Sequence, residues 1–211
     1  MKLDKNTLLL YVVTDREWVG KSSFEEQIEE TLKGGATFLQ LREKNLSFNE
    51  FLEQANKVKK ITDKYKVPFV INDNVEVAMK SNADGVHIGQ GDMNAKEVRT
   101  LIGDKKILGV TASTVITAKL AEADGADYIG VGAVFKTNTK EDAEIISMDT
   151  IKDICKSVSI PVVAIGGINE SKVLALKDSG IDGICCISAI FAKENIYEAT
   201  KNLYYLAKEV I

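Results

Sequence analysis

A chain of 211 residues that is 45% hydrophobic and 27% charged is long enough to bury one sizeable core, and its composition excludes disorder and fibre. No run approaches the ~18 consecutive apolar residues of a membrane span, and no basic-apolar-small leader opens the chain, so one cytoplasmic domain without membrane association is expected over residues 1–211. The formal net charge of −4 argues against a general nucleic-acid surface, although a local basic cluster could still receive an anion.

Eight short runs rich in β-branched and apolar residues follow in order: LLLYVVTD (8–15), TFLQLREK (37–44), PFVIND (68–73), GVHIG (85–89), KILGVTA (106–112), DYIGVGAVF (127–135), PVVAIGG (161–167) and GICCIS (183–188). A helical stretch is expected after each. In the first, Phe24, Ile28 and Leu32 share a face, with Ser23 placed to cap the helix start. In the second, Phe48, Phe51, Leu52, Ala55 and Val58 form the stripe behind Ser47.

Four junctions repeat a Gly or Asn, a small link and then a strand: GGATFLQ (34–40), NADGVHI (82–88), GADYIGV (125–131) and GIDGICC (180–186). The Gly or Asn suits a left-handed residue that stops one element and turns the chain into the next. Uninterrupted strand-helix alternation with no accessory segment favours a closed (β/α)8 TIM barrel, an α/β fold, over an open doubly wound sheet. Cys155, Cys185 and Cys186 lack metal spacing and are expected as small core residues.

In a barrel the chemistry gathers at the C-terminal ends of the strands. Alternation along QLREK puts Gln40, Arg42 and Lys44 on one face and Leu41 and Glu43 on the other. Two cations converging on a confined mouth call for an anionic partner, either a ligand or a salt bridge such as Arg42 to Asp73. Asp73 and Asp92 end neighbouring strands and could share Mg²⁺; singly, each could instead cap the helix that follows. The segment FKTNTKEDAEIIS (135–147) offers Thr137, Thr139 and Lys140 as a phosphate grip or forms a solvated loop. The sole histidine, His87, is expected to orient Asp92 or its loop rather than to act as an acid or base.

The ordered set YVVTD, QLREK, IND, GVHIGQGD, GVT, TNTK, AIGGI and IS, from about residue 8 to 190, resembles the thiamine phosphate synthase (thiamin-phosphate pyrophosphorylase) family. The resemblance implies a (β/α)8 barrel and a transferase. It would join hydroxymethylpyrimidine diphosphate to a thiazole phosphate, or its carboxylated form, yielding thiamine phosphate and diphosphate with one Mg²⁺ per subunit.

It assigns Gln40, Leu41, Arg42, Glu43, Lys44, Asn72, Thr111 and Lys140 to the pyrimidine diphosphate, with Arg42, Lys44 and Lys140 stabilising the departing charge. It assigns Thr137, Asn138, Thr139, Gly167, Ile187 and Ser188 to the thiazole phosphate, and Asp73 and Asp92 to the metal. Departures fall at Thr111, where the family commonly has Ser, at Ser113, where it often has His, and at Lys136, where it usually has Pro. A thiazole tautomerase on the same barrel, or a non-catalytic sensor of phosphate ligands, are the rival readings. The tautomerase reading is disfavoured by the absence of a histidine near Ser113. Whether NLYYLAKEVI packs on its own chain or on a second subunit is left open by the sequence.

Overall fold

Strand alternation sorts the apolar residues into two cores, one inside a closed ring of strands and one between that ring and its helices. The structure, a computed structural model, describes residues 3–20, 22–137 and 144–211. Eight parallel strands close into a barrel in chain order. They are β1 (Leu10–Val13), β2 (Phe38–Leu41), β3 (Phe69–Asn72), β4 (Gly85–Ile88), β5 (Ile107–Thr111), β6 (Tyr128–Val131), β7 (Val162–Ile165) and β8 (Gly183–Cys186). Each lies within one of the eight runs picked out above.

The outer layer contains α1 (Phe24–Lys33), α2 (Phe48–Tyr65), α3 (Val75–Lys80), α4 (Ala95–Ile102), α5 (Val115–Ala123), α6 (Met148–Ser157), a short α7 (Ser188–Phe191) and α8 (Ile196–Val210). Ser23 and Ser47 both form full capping boxes, with Glu26 and Glu50 returning the hydrogen bond. Phe24, Ile28, Leu32, Phe51, Ala55 and Val58 are buried against the sheet, while Leu52 sits at the edge of its stripe.

One unit departs from the expected alternation. After β7 the chain makes only a 3₁₀ turn, Val173–Leu176, whose two ends are buried. Val173 and Leu176 stand three apart, which stacks them on one side of a 3₁₀ turn, so the segment covers its part of the sheet without a full α-helix.

The repeated junctions are a structural device at the opposite end of the barrel from the strand C-termini. Gly35, Asn82, Gly125 and Gly180 all have positive φ, of 106°, 53°, 94° and 86°. Two residues later Thr37, Asp84, Asp127 and Asp182 each bond reciprocally to the preceding odd strand. Their backbone N–H groups donate to the carbonyls of Leu10, Phe69, Leu108 and Val162, at 2.7–2.9 Å. Their side chains accept the N–H groups of those same residues, at 2.8–3.0 Å. The Thr37 hydroxyl and the three carboxylates satisfy backbone donors near the strand starts and tie each strand pair in register.

Cys185 lies in the inner core and Cys186 in the outer one, and Cys155 packs half-buried on α6. Among the described residues no helix is long and apolar enough to cross a membrane.

Candidate active site

The C-terminal ends of β3 and β4 bring two acids together. Asp73 follows β3 with φ 62°, a left-handed conformation tolerated by Asp, and its N–H donates to the His87 carbonyl oxygen at 2.8 Å. Asp92 is held in its loop by the Gly89 N–H, which donates to Oδ2 at 2.7 Å. Neither acid caps a helix, because Asn74 caps α3 and Asn94 caps α4. The Asp92 carboxyl is close enough to that of Asp73 to raise it. Asp73 is exposed at the mouth, yet the protein crowded around its carboxyl, together with the contact and charge of Asp92, pushes it up to about 6; the Asn72 amide and the Arg42 charge oppose this. A pair that must hold a proton or a cation between its oxygens fits a hard divalent ion that takes two carboxylates and fills its other positions with water and phosphate oxygens. Among the described residues no group of three or more His, Cys, Asp or Glu could hold a metal.

The cations are supplied from β2. Arg42 donates its backbone N–H to Thr14 Oγ1 at 3.1 Å, and its guanidinium pairs with Asp15 at 3.8 Å rather than forming the rim bridge to Asp73 that the sequence allowed. Lys44 follows, exposed, on the loop beyond. Leu41 is buried on the helix side of the sheet, as the alternation requires. Glu43 turns to Arg16, whose Nε lies 2.7 and 2.8 Å from its two carboxylate oxygens. Burial raises the Glu43 carboxyl and the Arg16 contact opposes it. The Leu41 side chain therefore points away from the mouth, and that of Glu43 is taken up by Arg16 of the loop after β1.

Beneath the mouth, side chains inside the barrel form a continuous polar chain. Gln40 Nε2 donates to the Tyr11 hydroxyl at 2.6 Å, and that hydroxyl lies 2.8 Å from the hydroxyl of Tyr128. The Tyr128 hydroxyl lies 2.9 Å from His87 Nδ1, and His87 Nε2 lies 3.0 Å from Thr111 Oγ1. The protein packed around the His87 ring drives its pKa down to about 4, outweighing the attraction of Asp92, so the imidazole is neutral near pH 7. The His87 ring thus bonds Tyr128 and Thr111, and neither ring nitrogen bonds Asp92 or its loop, which corrects the expectation that it orients Asp92 or its loop. Gln90 bonds the Thr111 carbonyl oxygen from above.

The other side of the mouth is built from β6, β7 and β8. The N–H groups of Val134 and Phe135 donate to the carbonyls of Ile165 and Gly166 at 3.0 Å, stitching the loop after β6 to that after β7. A Cβ on Gly167 would fall 2.5 Å from the Lys136 carbonyl oxygen, and the residue has φ 66°, so only glycine fits this approach. Thr137 is half-buried at the end of this stretch, while Asn138, Thr139 and Lys140 lie outside the described residues. The returning chain is tied down by Ile146 N–H to the Ala133 carbonyl at 2.8 Å. Ile187 and Ser188 lie where β8 gives way to α7, which begins without a side-chain cap.

Residues 10–190 match the family model described as "Thiamine monophosphate synthase". The chain belongs to the thiamine monophosphate synthase family. It is 52% identical over 194 residues to the thiamine-phosphate synthase of Clostridium tetani, an alignment covering 92% of this chain and 93% of that protein. It is 50% identical over 196 residues to that of Methanobrevibacter smithii, covering 93% of each. Among solved structures, the thiamine phosphate pyrophosphorylase of Pyrococcus furiosus superposes with a TM-score of 0.90 at 38% identity, covering 98% of both chains. The thiamine monophosphate synthase family is one of transferases, and this chain is an enzyme of that class.

Within this member of the thiamine monophosphate synthase family, Thr14, Asp15, Tyr11 and Tyr128 join the strand-end acids and the β2 cations through contacts that no single strand's pattern shows. The two tyrosines were visible as strand residues at inward positions. An inward tyrosine in a barrel must find a partner for its hydroxyl, which was the available signal.

Proposed function

We propose that this chain condenses a pyrimidinylmethyl diphosphate with a thiazole phosphate, forming thiamine phosphate and releasing diphosphate. The observation that carries the reading is the Asp73–Asp92 carboxyl pair beside Arg42 at the C-terminal mouth, in a chain of this family. Asp73 and Asp92 would hold Mg²⁺, which when bound supplies charge neutralisation for diphosphate oxygens.

Arg42, Lys44 and Lys140 are assigned to the diphosphate. Fixed positive charge aimed at the leaving group stabilises it as the C–O bond breaks, without reorganisation at that moment. The electron-rich aminopyrimidine spreads the charge left on its methylene carbon, and the thiazole nitrogen attacks that carbon. No protein nucleophile takes part. Asn72 is assigned to the pyrimidine and Thr111 to the diphosphate substrate. The loops after β6, β7 and β8, with Thr137, Asn138, Thr139, Gly167, Ile187 and Ser188, hold the thiazole phosphate. The confined mouth limits water that would otherwise trap the cation.

The test mixes both substrates with the full-length protein and Mg²⁺ and follows thiamine phosphate and diphosphate together. Equal, steady formation of both is expected. Isomerisation of the thiazole alone would establish a tautomerase, and binding without turnover would establish a sensor; either result ends the proposal.

A further inference from the structure

The polar chain inside the barrel has a direction. We propose that Gln40, Tyr11, Tyr128 and His87 form a one-way series of hydrogen-bond donors that fixes Thr111 as a donor aimed at an anionic substrate oxygen. The last clause rests on the proposed function, whereas the direction of the series does not.

An amide nitrogen can only donate. With Gln40 Nε2 directed at Tyr11, the Tyr11 oxygen receives that proton and its own must go on to Tyr128. The Tyr128 proton then goes to His87 Nδ1, which leaves the ring proton on Nε2 facing Thr111 Oγ1. The Thr111 hydroxyl hydrogen has no acceptor left in the series and is free for the mouth. Tyr11 and Tyr128 are 2% and 0% exposed, and burial raises both phenols well above their ordinary pKa, so each keeps the proton it passes on. His87 has hydroxyl partners on both nitrogens and no carboxylate among them.

The series also occupies space made for it. A Cβ on Gly109 would lie 2.2 Å from the Tyr128 ring, 2.3 Å from its hydroxyl and 2.5 Å from His87 Nδ1. The opposite polarity would turn the Thr111 hydrogen inward and present lone pairs to a diphosphate, which repels. Tyr128 is therefore a positioning residue, acting on substrate through His87 and Thr111.

His87 is the only histidine in the chain, so ¹⁵N-histidine labelling of the full-length protein gives one imidazole to observe. Long-range ¹H–¹⁵N spectra near pH 7 are expected to show protonated Nε2 and unprotonated Nδ1. Gln40→Glu puts an acceptor where the amide donated and is expected to reverse the series, moving the proton to Nδ1. Tyr128→Phe removes one hydroxyl with little change of volume and serves if the first variant does not fold. It is expected to shift the Nδ1 resonance through loss of its hydrogen bond and to lower kcat/KM for the pyrimidine diphosphate about tenfold.

Protonated Nδ1 in the unaltered protein, an unchanged tautomer in folded Gln40→Glu, or no change of either readout in Tyr128→Phe overturns the proposal. The tautomer is read without turnover. A correct tautomer in a protein that makes no thiamine phosphate would sink the functional reading and spare the series, and an active protein with the wrong tautomer would do the reverse.

Discussion

Magnesium affinity should carry the signature of the Asp73–Asp92 contact. In the metal-free protein the Asp73 carboxyl, exposed at the mouth, is pushed up to about 6, first by the protein crowded around it and secondly by Asp92. A metal ligand must be ionised, so the ion competes with that proton. At about pH 5 roughly one Asp73 in ten is ionised, whereas near pH 7 about nine in ten are, so this group alone should weaken apparent Mg²⁺ affinity about tenfold between the two. An aspartate of ordinary pKa would already be mostly ionised at the lower pH and would change affinity by little.

Asp92→Asn removes the neighbouring charge. The affinity should fall because one carboxylate is lost, and the midpoint of its pH dependence should move down. It should not reach the ordinary value, since the protein crowded around Asp73 is the larger cause. Isothermal titration of Mg²⁺ across about pH 5 to 7, in two buffers of different ionisation enthalpy, reads both the affinity and the protons released. A flat affinity over that range, or an Asp92→Asn profile with the same midpoint as the unaltered protein, would refute the reasoning.

Lys44→Ala should lower kcat on the order of 10²-fold if its charge acts mainly on the departing diphosphate, with steady-state kinetics as the check. Gly109→Ala should destabilise the fold by about 3 kcal/mol in denaturant melts, since the added methyl overlaps Tyr128 and His87 inside a packed core. Asp127→Ala should cost about 2–3 kcal/mol in the same assay, because it strips the side-chain partner from the Leu108 N–H and the carboxylate from the Arg99 guanidinium, leaving that charge on backbone carbonyls. Ser47→Ala should cost only about 1 kcal/mol, the usual effect of losing a helix cap.

The barrel was legible because its signals are local and repeated. Alternating apolar runs, serine caps and the junctions at Gly35, Asn82, Gly125 and Gly180 each declare an element by short-range chemistry. The helix missing after β7 was not legible, because Val173 and Leu176 at a spacing of three suit either an α-helix or a 3₁₀ turn. At the site, Asp73 and Asp92 stood out as acids at strand ends. Their pairing could be suspected from strand order, but their contact needed the fold.

The ion-pair partner of Arg42 is not legible in the sequence because several acids lie at neighbouring strand ends, and only the geometry after β1 brings Asp15 to it. The Gln40 to Thr111 chain draws on five residues from five strands or their ends, with no two adjacent in sequence. Periodicity along any one strand could show that a polar residue points inward, but not which other polar residue would meet it.

The most direct test of the account is a crystal structure of the protein with magnesium diphosphate. It predicts a metal ion bridging the carboxylates of Asp73 and Asp92, with diphosphate oxygens on that ion and within reach of Arg42, Lys44 and the Thr111 hydroxyl. Diphosphate bound away from the C-terminal mouth, or a metal held without either aspartate, would contradict it.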